Sequence, residues 1–240
     1  MKKRSALFLP GVLGLIGAVL RFLQCRTVFE PDTLLAKPHY ISLLLPLYLL
    51  LCAALLFTTA GKKVTQLDFD QAFLIPSSQL LPGFVCSAML FIAAGGSTIF
   101  TSFGAGILPM VLGGMAVVAG ICLFLALQRW INEEISGILF LIPVFFAVVW
   151  LLVTYQEYAS WPVMTAYYVR VLSIAAIACA FYQVAACAYS QGSRRVLRFI
   201  LPVAIILTFT ALGDSASLSE KGLHLASLAA LYGFWICGKK

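Results

Sequence analysis

Eight stretches of this chain are each long and apolar enough to cross a lipid bilayer, and only short polar segments separate them. A helix spanning the ~30 Å hydrocarbon core needs about 20 mostly apolar residues. Residues 6–25, 39–60, 79–100, 106–128, 135–155, 162–190, 196–213 and 222–238 meet that requirement. No other feature limits the fold so strongly. In hydrocarbon every backbone N–H and C=O must be satisfied within the protein, so repeated runs of this length become a helix bundle. Composition agrees: 62% of residues are hydrophobic and only 10% charged, against roughly 25% charged in a soluble domain. The expected fold is therefore all-α, a polytopic transmembrane helix bundle of about eight spans, forming one membrane domain over 1–240. The longest polar segments, "RTVFEPDTLLAKPH" and "GKKVTQLDFDQAFLIPSS", are too short to build a core of their own.

The positive charges give the bundle a direction. Cytoplasmic loops are enriched in Lys and Arg. With the N-terminus inside, eleven of them fall on the inner side: Lys2, Lys3, Arg4, Lys62, Lys63, Arg129, Arg194, Arg195, Arg198, Lys239 and Lys240. Five fall on the outer side or outer half: Arg21, Arg26, Lys37, Arg170 and Lys221. Every turn of the alternation agrees, which places both termini in the cytoplasm and the protein in the cytoplasmic membrane as a multi-pass chain. The net charge of +7 would suit nucleic acid only if the cations shared one aqueous face. Here they sit in short clusters between apolar runs, so no nucleic-acid partner is expected; the partner is the bilayer. The opening "MKKRSALFLPGVLGLIGAVLRFLQC" has the basic head and apolar run of a secretory signal. It contains no small-x-small cleavage site, and Arg21 and Arg26 follow the run, so it is expected to stay as the first span.

Proline recurs near the cytoplasmic start of each odd-numbered span, at Pro10, Pro82, Pro143 and Pro202. That is the chemistry of a helix's first turn, where a missing N–H costs nothing, or the trace of a repeated two-helix unit in a four-plus-four arrangement. Small residues recur too: Gly11, Gly14 and Gly17; Gly113, Gly114 and Gly120; and "SIAAIACA" running on to Ala185, Ala186 and Ala188. Such faces let helices approach closely in lipid, within one chain or between copies or membrane partners. "AAGGSTIFTSFGAG" reads as an outer hairpin, or as a re-entrant turn whose freed backbone lines a polar cavity.

The residue that asks most of the bundle is Arg170, inside "MTAYYVRVLSIAAIACAFYQ". In a span running from 162 it lies ~12 Å from the outer end at 1.5 Å per residue. Two readings stand. The side chain snorkels outward through an aromatic belt, "WPVMTAYY", or it faces the bundle and pairs with an outer carboxylate. The ion-pair candidates are Glu157, Glu30, Asp32 and Asp214. Tyr167 and Ser173 stand three residues to either side, on one helical face, so Arg170, Tyr167, Glu157 and Ser173 form a candidate site for an anionic or polar ligand.

Enzyme signatures are sparse. Asn132, Glu133 and Glu134 look superficially like the paired-glutamate motif of intramembrane proteases, but the arginine and histidines that such families need do not follow. Walker, dinucleotide, His-Glu-x-x-His and Gly-x-Ser-x-Gly patterns do not occur. His39 and His224 lack the paired spacing of a metal site, and the seven cysteines form no Cys-x-x-Cys pair; no metal or other cofactor is expected. "LRFLQCRTVFEPDT", "LLVTYQEYASWPVMTAYYVRV" and "AFYQVAACAYSQGSRRVLRFILP" together resemble small multi-span membrane proteins of anaerobic Gram-positive bacteria, which implies a bacterial inner membrane and no particular activity. The functional expectation is a non-enzymatic bundle, either a carrier-like transporter with an outer polar cavity near Arg170 or a membrane-embedded subunit of a complex. A lipid-active intramembrane enzyme is the alternative.

Overall fold

The computed structural model describes residues 2–28, 40–61, 65–76, 80–102, 106–158, 167–214 and 216–239. Eight long helices form as the apolar runs require: α1 (Lys2–Thr27), α2 (Ile41–Thr59), α4 (Leu81–Thr101), α5 (Ile107–Ile131), α6 (Gly137–Tyr158), α7 (Tyr168–Ala188), α8 (Arg194–Leu212) and α9 (Leu218–Cys237). The segment between α2 and α4 contributes a short strand, β1 (Thr65–Leu67), and a single helical turn, α3 (Phe69–Ala72); a second short strand, β2 (Gly192–Ser193), precedes α8. Among the described residues, the seven long helices α1, α2 and α4 to α8 are long and apolar enough to cross a membrane.

The last helix, α9, falls short on composition because its first turns carry Ser219, Glu220, Lys221 and His224. It nevertheless runs from end to end. Its Glu220 meets Arg170 at one end of the bundle, and its Trp235 donates to the Leu7 carbonyl of α1 at the other. A helix wrapped by protein does not have to match the hydropathy of lipid, and α9 packs against both α4 and α8. It also begins earlier than the apolar run suggests. Ser217 and Glu220 form a reciprocal capping box, which satisfies two backbone donors and starts the helix at Leu218.

Six helices close a ring in the order α4, α5, α6, α7, α8, α9 and back to α4, while α1 and α2 pack on its outside along α8. This ring-plus-pair replaces the four-plus-four arrangement. Phe91, Phe146, Trp150 and Ile177 are buried in its core. The tightest seam is α4 against α5. A Cβ on Gly95 would lie 2.6 Å from the Gly113 carbonyl, one on Gly113 2.7 Å from the Gly95 carbonyl, and one on Gly120 2.7 Å from the Ala88 carbonyl. The glycines thus allow backbone-to-backbone contact within the chain. Gly14 and Gly17 of α1 are instead covered by the side chains of Phe209 and Thr210 of α8. The helix α4 runs unbroken through Gly95 and Gly96 to Thr101, so that part of the stretch carries no re-entrant break, while residues 103–105 lie outside the described residues.

Proline placement differs from the first-turn expectation. Of these four, only Pro82 stands at a helix start; Pro10, Pro143 and Pro202 lie inside α1, α6 and α8, with α1 and α8 starting before their apolar runs, at Lys2 and Arg194. Interior prolines in membrane helices are tolerated where neighbours satisfy the freed backbone. Beside Pro10, the Leu7 carbonyl accepts from Tyr232 Oη at 3.3 Å and Trp235 Nε1 at 3.2 Å.

The end that the charge asymmetry assigns to the cytoplasm is closed. β1 and β2 pair antiparallel, with Thr65 opposite Ser193, and residues 72–74 bond to the chain end: Leu74 N to Cys237 O and Lys239 N to Ala72 O, each 2.7 Å. This folds Phe69 and Phe73 into a buried aromatic cluster with Phe84, Trp130, Phe140 and Phe234, at centroid separations from 4.9 to 6.1 Å.

Candidate functional site

The opposite, outer end gathers the bundle's buried charges. Arg21 is the twentieth residue of α1 and is 0% exposed. It reaches into the groove between α7 and the end of α8. Its Nη2 and Nε lie 2.9 and 3.0 Å from Asp214 Oδ1, and its Nη1 donates to Gln24 Oε1 at 2.8 Å. Cys25 Sγ lies 3.4 Å from the same Asp214 oxygen, and the Arg21 guanidinium stands 5.4 Å from the centre of the Tyr168 ring. Asp214 is fixed just past α8 by its N–H, which donates to the Ala211 carbonyl.

Arg170 takes the other side of Asp214. Its Nε is 3.9 Å from Asp214 Oδ2 and its Nη1 is 3.4 Å from Glu220 Oε1. The result is a ladder, Arg21, Asp214, Arg170, Glu220, that ties α1, the end of α8, α7 and α9 together. Glu220 works twice: Oε2 accepts from the Ser217 N–H in the capping box while Oε1 faces Arg170. Charges buried in this way persist only when paired and hydrogen-bonded.

Arg170 turns inward. It is the third residue of α7, not one well along a span that starts at 162, and the side chain is 6% exposed. Snorkelling would give up both carboxylates. The other proposed site residues divide. Tyr167 is the buried residue that precedes α7. Ser173 is fully buried and its hydroxyl donates to the Arg170 carbonyl at 2.8 Å, which turns it away from any ligand. Glu157 is exposed at the end of α6, within electrostatic range of both Glu220 and Arg170. Asp214 is the acid, of those proposed, that meets Arg170 directly, whereas Glu30 and Asp32 lie outside the described residues, as do His39 and Lys37.

Above the ladder opens a cleft of about 730 Å³ between the outer ends of α4, α5, α6 and α9. Its polar wall comes from Thr98, Thr101, Ser102, Gln156, Glu157, Ser217, Ser219 and Glu220, with Ile107, Leu112 and Val153 on the apolar side. Glu220 therefore belongs to both the cleft and the ladder. Among the described residues of this group, two guanidiniums (Arg21, Arg170) face three carboxylates (Asp214, Glu220, Glu157), an excess of one carboxylate. Lys221 is half-buried and makes no ion pair among the described residues.

One turn below Glu220 on α9 lies His224, 1% exposed, its ring 4.6 Å from that of Trp150. Neither ring nitrogen meets a hydrogen-bond partner among the described residues. A buried imidazole has two polar atoms to satisfy, and native interiors leave few such groups without protein, water or ligand.

Arg21, Gln24, Glu220 and His224 are the participants that sequence reading passed over as site residues. Three signals were present: an Arg-x-x-Gln pair inside an apolar run, the Ser-x-x-Glu cap of α9, and two arginines that each needed an acid at the same membrane level. No protein-family model matches this chain, and neither does any curated protein or solved structure.

Proposed function

We propose that this protein is a carrier-like membrane bundle that takes a small cationic, hydroxyl-bearing solute into its outer cleft. The observation that carries the reading is the excess of carboxylate at the cleft among the described residues: Glu157 and Glu220 face a volume large enough for a metabolite-sized molecule, and the nearby guanidiniums are held below them by Asp214 and Glu220. Of the anionic or polar ligands expected near Arg170, the burial of Arg170 between Asp214 and Glu220 favours a polar, cationic one. The hydroxyls of Thr98, Thr101, Ser217 and Ser219 supply the neutral donors and acceptors that such a solute needs. The aromatic cluster at the inner end supports a carrier in its outward-open state, with the path closed on the cytoplasmic side. Coverage of Gly14, Gly17, Gly113 and Gly120 by the same chain weighs against the subunit reading at those positions.

The test is uptake into proteoliposomes of labelled choline, methylammonium, inositol and glutamate, each against protein-free vesicles. Saturable uptake of a cation is expected, with Glu157→Gln reducing kcat/KM by roughly ten- to a hundred-fold, the loss of one charge-assisted hydrogen bond. The thermal midpoint should stay unchanged because Glu157 is exposed and no ladder bond depends on it. Preference for glutamate, or identical kinetics in Glu157→Gln, would overturn the assignment.

A further inference from the structure

A second cavity, of about 390 Å³, opens in the opposite half of the molecule between α1, α2, α8 and α9. Its wall is apolar, with Leu9, Leu55, Leu56, Leu201 and Trp235. Leu9 and Leu55 are also exposed, 42% and 53%, on helices whose exposed surface faces hydrocarbon, so the cavity opens sideways into the bilayer. At its cytoplasmic lip stand Arg194, Arg198 and Lys239. Arg195 adjoins them, its guanidinium 4.6 Å from the Phe57 ring centre. Arg198 Nη2 donates to the Lys239 carbonyl at 3.5 Å and Lys239 Nζ to the Asp70 carbonyl, which gathers the cations at one edge. Among the described residues none of these cations forms an ion pair with a carboxylate, Asp68 and Asp70 of the same layer included. The first turn of α8 adds the positive end of a helix dipole.

An apolar slot open to lipid beneath an unbalanced cationic edge matches one occupant by shape and charge: an amphiphile with an acyl chain and an anionic phosphate head. A cavity of about 150 Å³ already accommodates benzene, so this one has room for a length of acyl chain. We infer that the groove between α1, α2, α8 and α9 holds an anionic phospholipid of the cytoplasmic leaflet, its phosphate on Arg194, Arg198 and Lys239 and one chain along Leu55 and Leu56. This site is independent of the outer cleft, and its test does not involve uptake.

Native mass spectrometry of the detergent-purified protein would compare dioleoyl phosphatidylglycerol with dioleoyl phosphatidylcholine. Retention of the anionic lipid is expected to be about ten- to thirty-fold tighter, two basic residues at the membrane surface supplying that factor. Arg194→Gln/Arg198→Gln should remove the preference, and Leu55→Trp, at an exposed position in the mouth, should weaken both lipids. Lys221→Gln, at the outer end, should change neither. If the double variant fails to fold, Lys239→Gln should still reduce the preference. Equal retention of the two lipids, a preference that survives loss of the cations, or displacement of the lipid by an equal concentration of glycerol phosphate would overturn the inference.

Discussion

At the scale of single residues, the protein concentrates its risk in Asp214. This one carboxylate sits between two guanidiniums, with Arg21 at 2.9 Å and Arg170 at 3.9 Å, and all three side chains are almost wholly buried. Removing one partner of a buried pair leaves a stranded charge, at a cost of about 3–5 kcal/mol. Asp214→Asn is therefore expected to lower the thermal midpoint in mild detergent more than Arg21→Leu, because it takes a carboxylate from two guanidiniums, leaving Arg170 with Glu220 and Arg21 with Gln24, whereas Arg21→Leu leaves Asp214 facing Arg170. Arg21→Leu/Asp214→Asn should recover part of the loss, with a coupling energy above about 1 kcal/mol in a double-mutant cycle. Strict additivity of the two changes would show that the contact contributes nothing. Sequence reading could list Asp214 among the acids available to Arg170 but had no means of ranking them. The ranking comes from α7 and α8 lying side by side, which brings residues 44 positions apart to one level.

At the scale of elements, the α4–α5 hairpin shows why a glycine count says little about what each glycine does. A Cβ on Gly113 would lie 2.7 Å from the Gly95 carbonyl, whereas one on its neighbour Gly114 would meet nothing within 4 Å. Gly113→Ala must push two backbones apart and is expected to destabilise by about 1–3 kcal/mol, as overpacking does. Gly114→Ala is expected to be neutral, or to stabilise by up to about 1 kcal/mol through helix propensity. Denaturant or thermal unfolding of the pair checks the sign reversal, and equal effects would mean that the hairpin is not packed backbone to backbone. The same stripe of small residues was legible in the sequence as a helix-packing face. Whether the facing helix belonged to the same chain was not, because a stripe records closeness of approach and not the identity of what approaches.

At the scale of the whole molecule, the two ends of the bundle are built differently. One is sealed by an aromatic cluster and a short strand ladder; the other is an open polar cleft over a charge ladder. The polarity of the lysines and arginines predicts that the sealed end faces the cytoplasm. In a cysteine-free background, Lys239→Cys and Gln191→Cys should resist a membrane-impermeant reagent on intact cells, and Ser219→Cys should react. Reaction at Lys239→Cys with protection at Ser219→Cys would invert the orientation and with it the direction of the cleft. Phe73→Ala, which opens the cluster at its centre, should cost about 3–5 kcal/mol if the inner seal is as well packed as its ring distances imply.

The sequence by itself determined that the chain is a membrane helix bundle and where most helices lie to within a turn, and it predicts which end faces the cytoplasm. Each of these follows from local quantities: the length of an apolar run, the solvent demanded by its backbone, and the sign of the loop charges. Tertiary structure decided the six-helix ring with its outlying pair, the choice of Asp214 and Glu220 as partners of Arg170, the entry of Arg21 into the same ladder, and the folding of Phe69 and Phe73 into the inner end. Those outcomes depend on which faces meet across the bundle. In a bilayer the hydrophobic effect does not choose between faces, so close packing and paired charges make the choice.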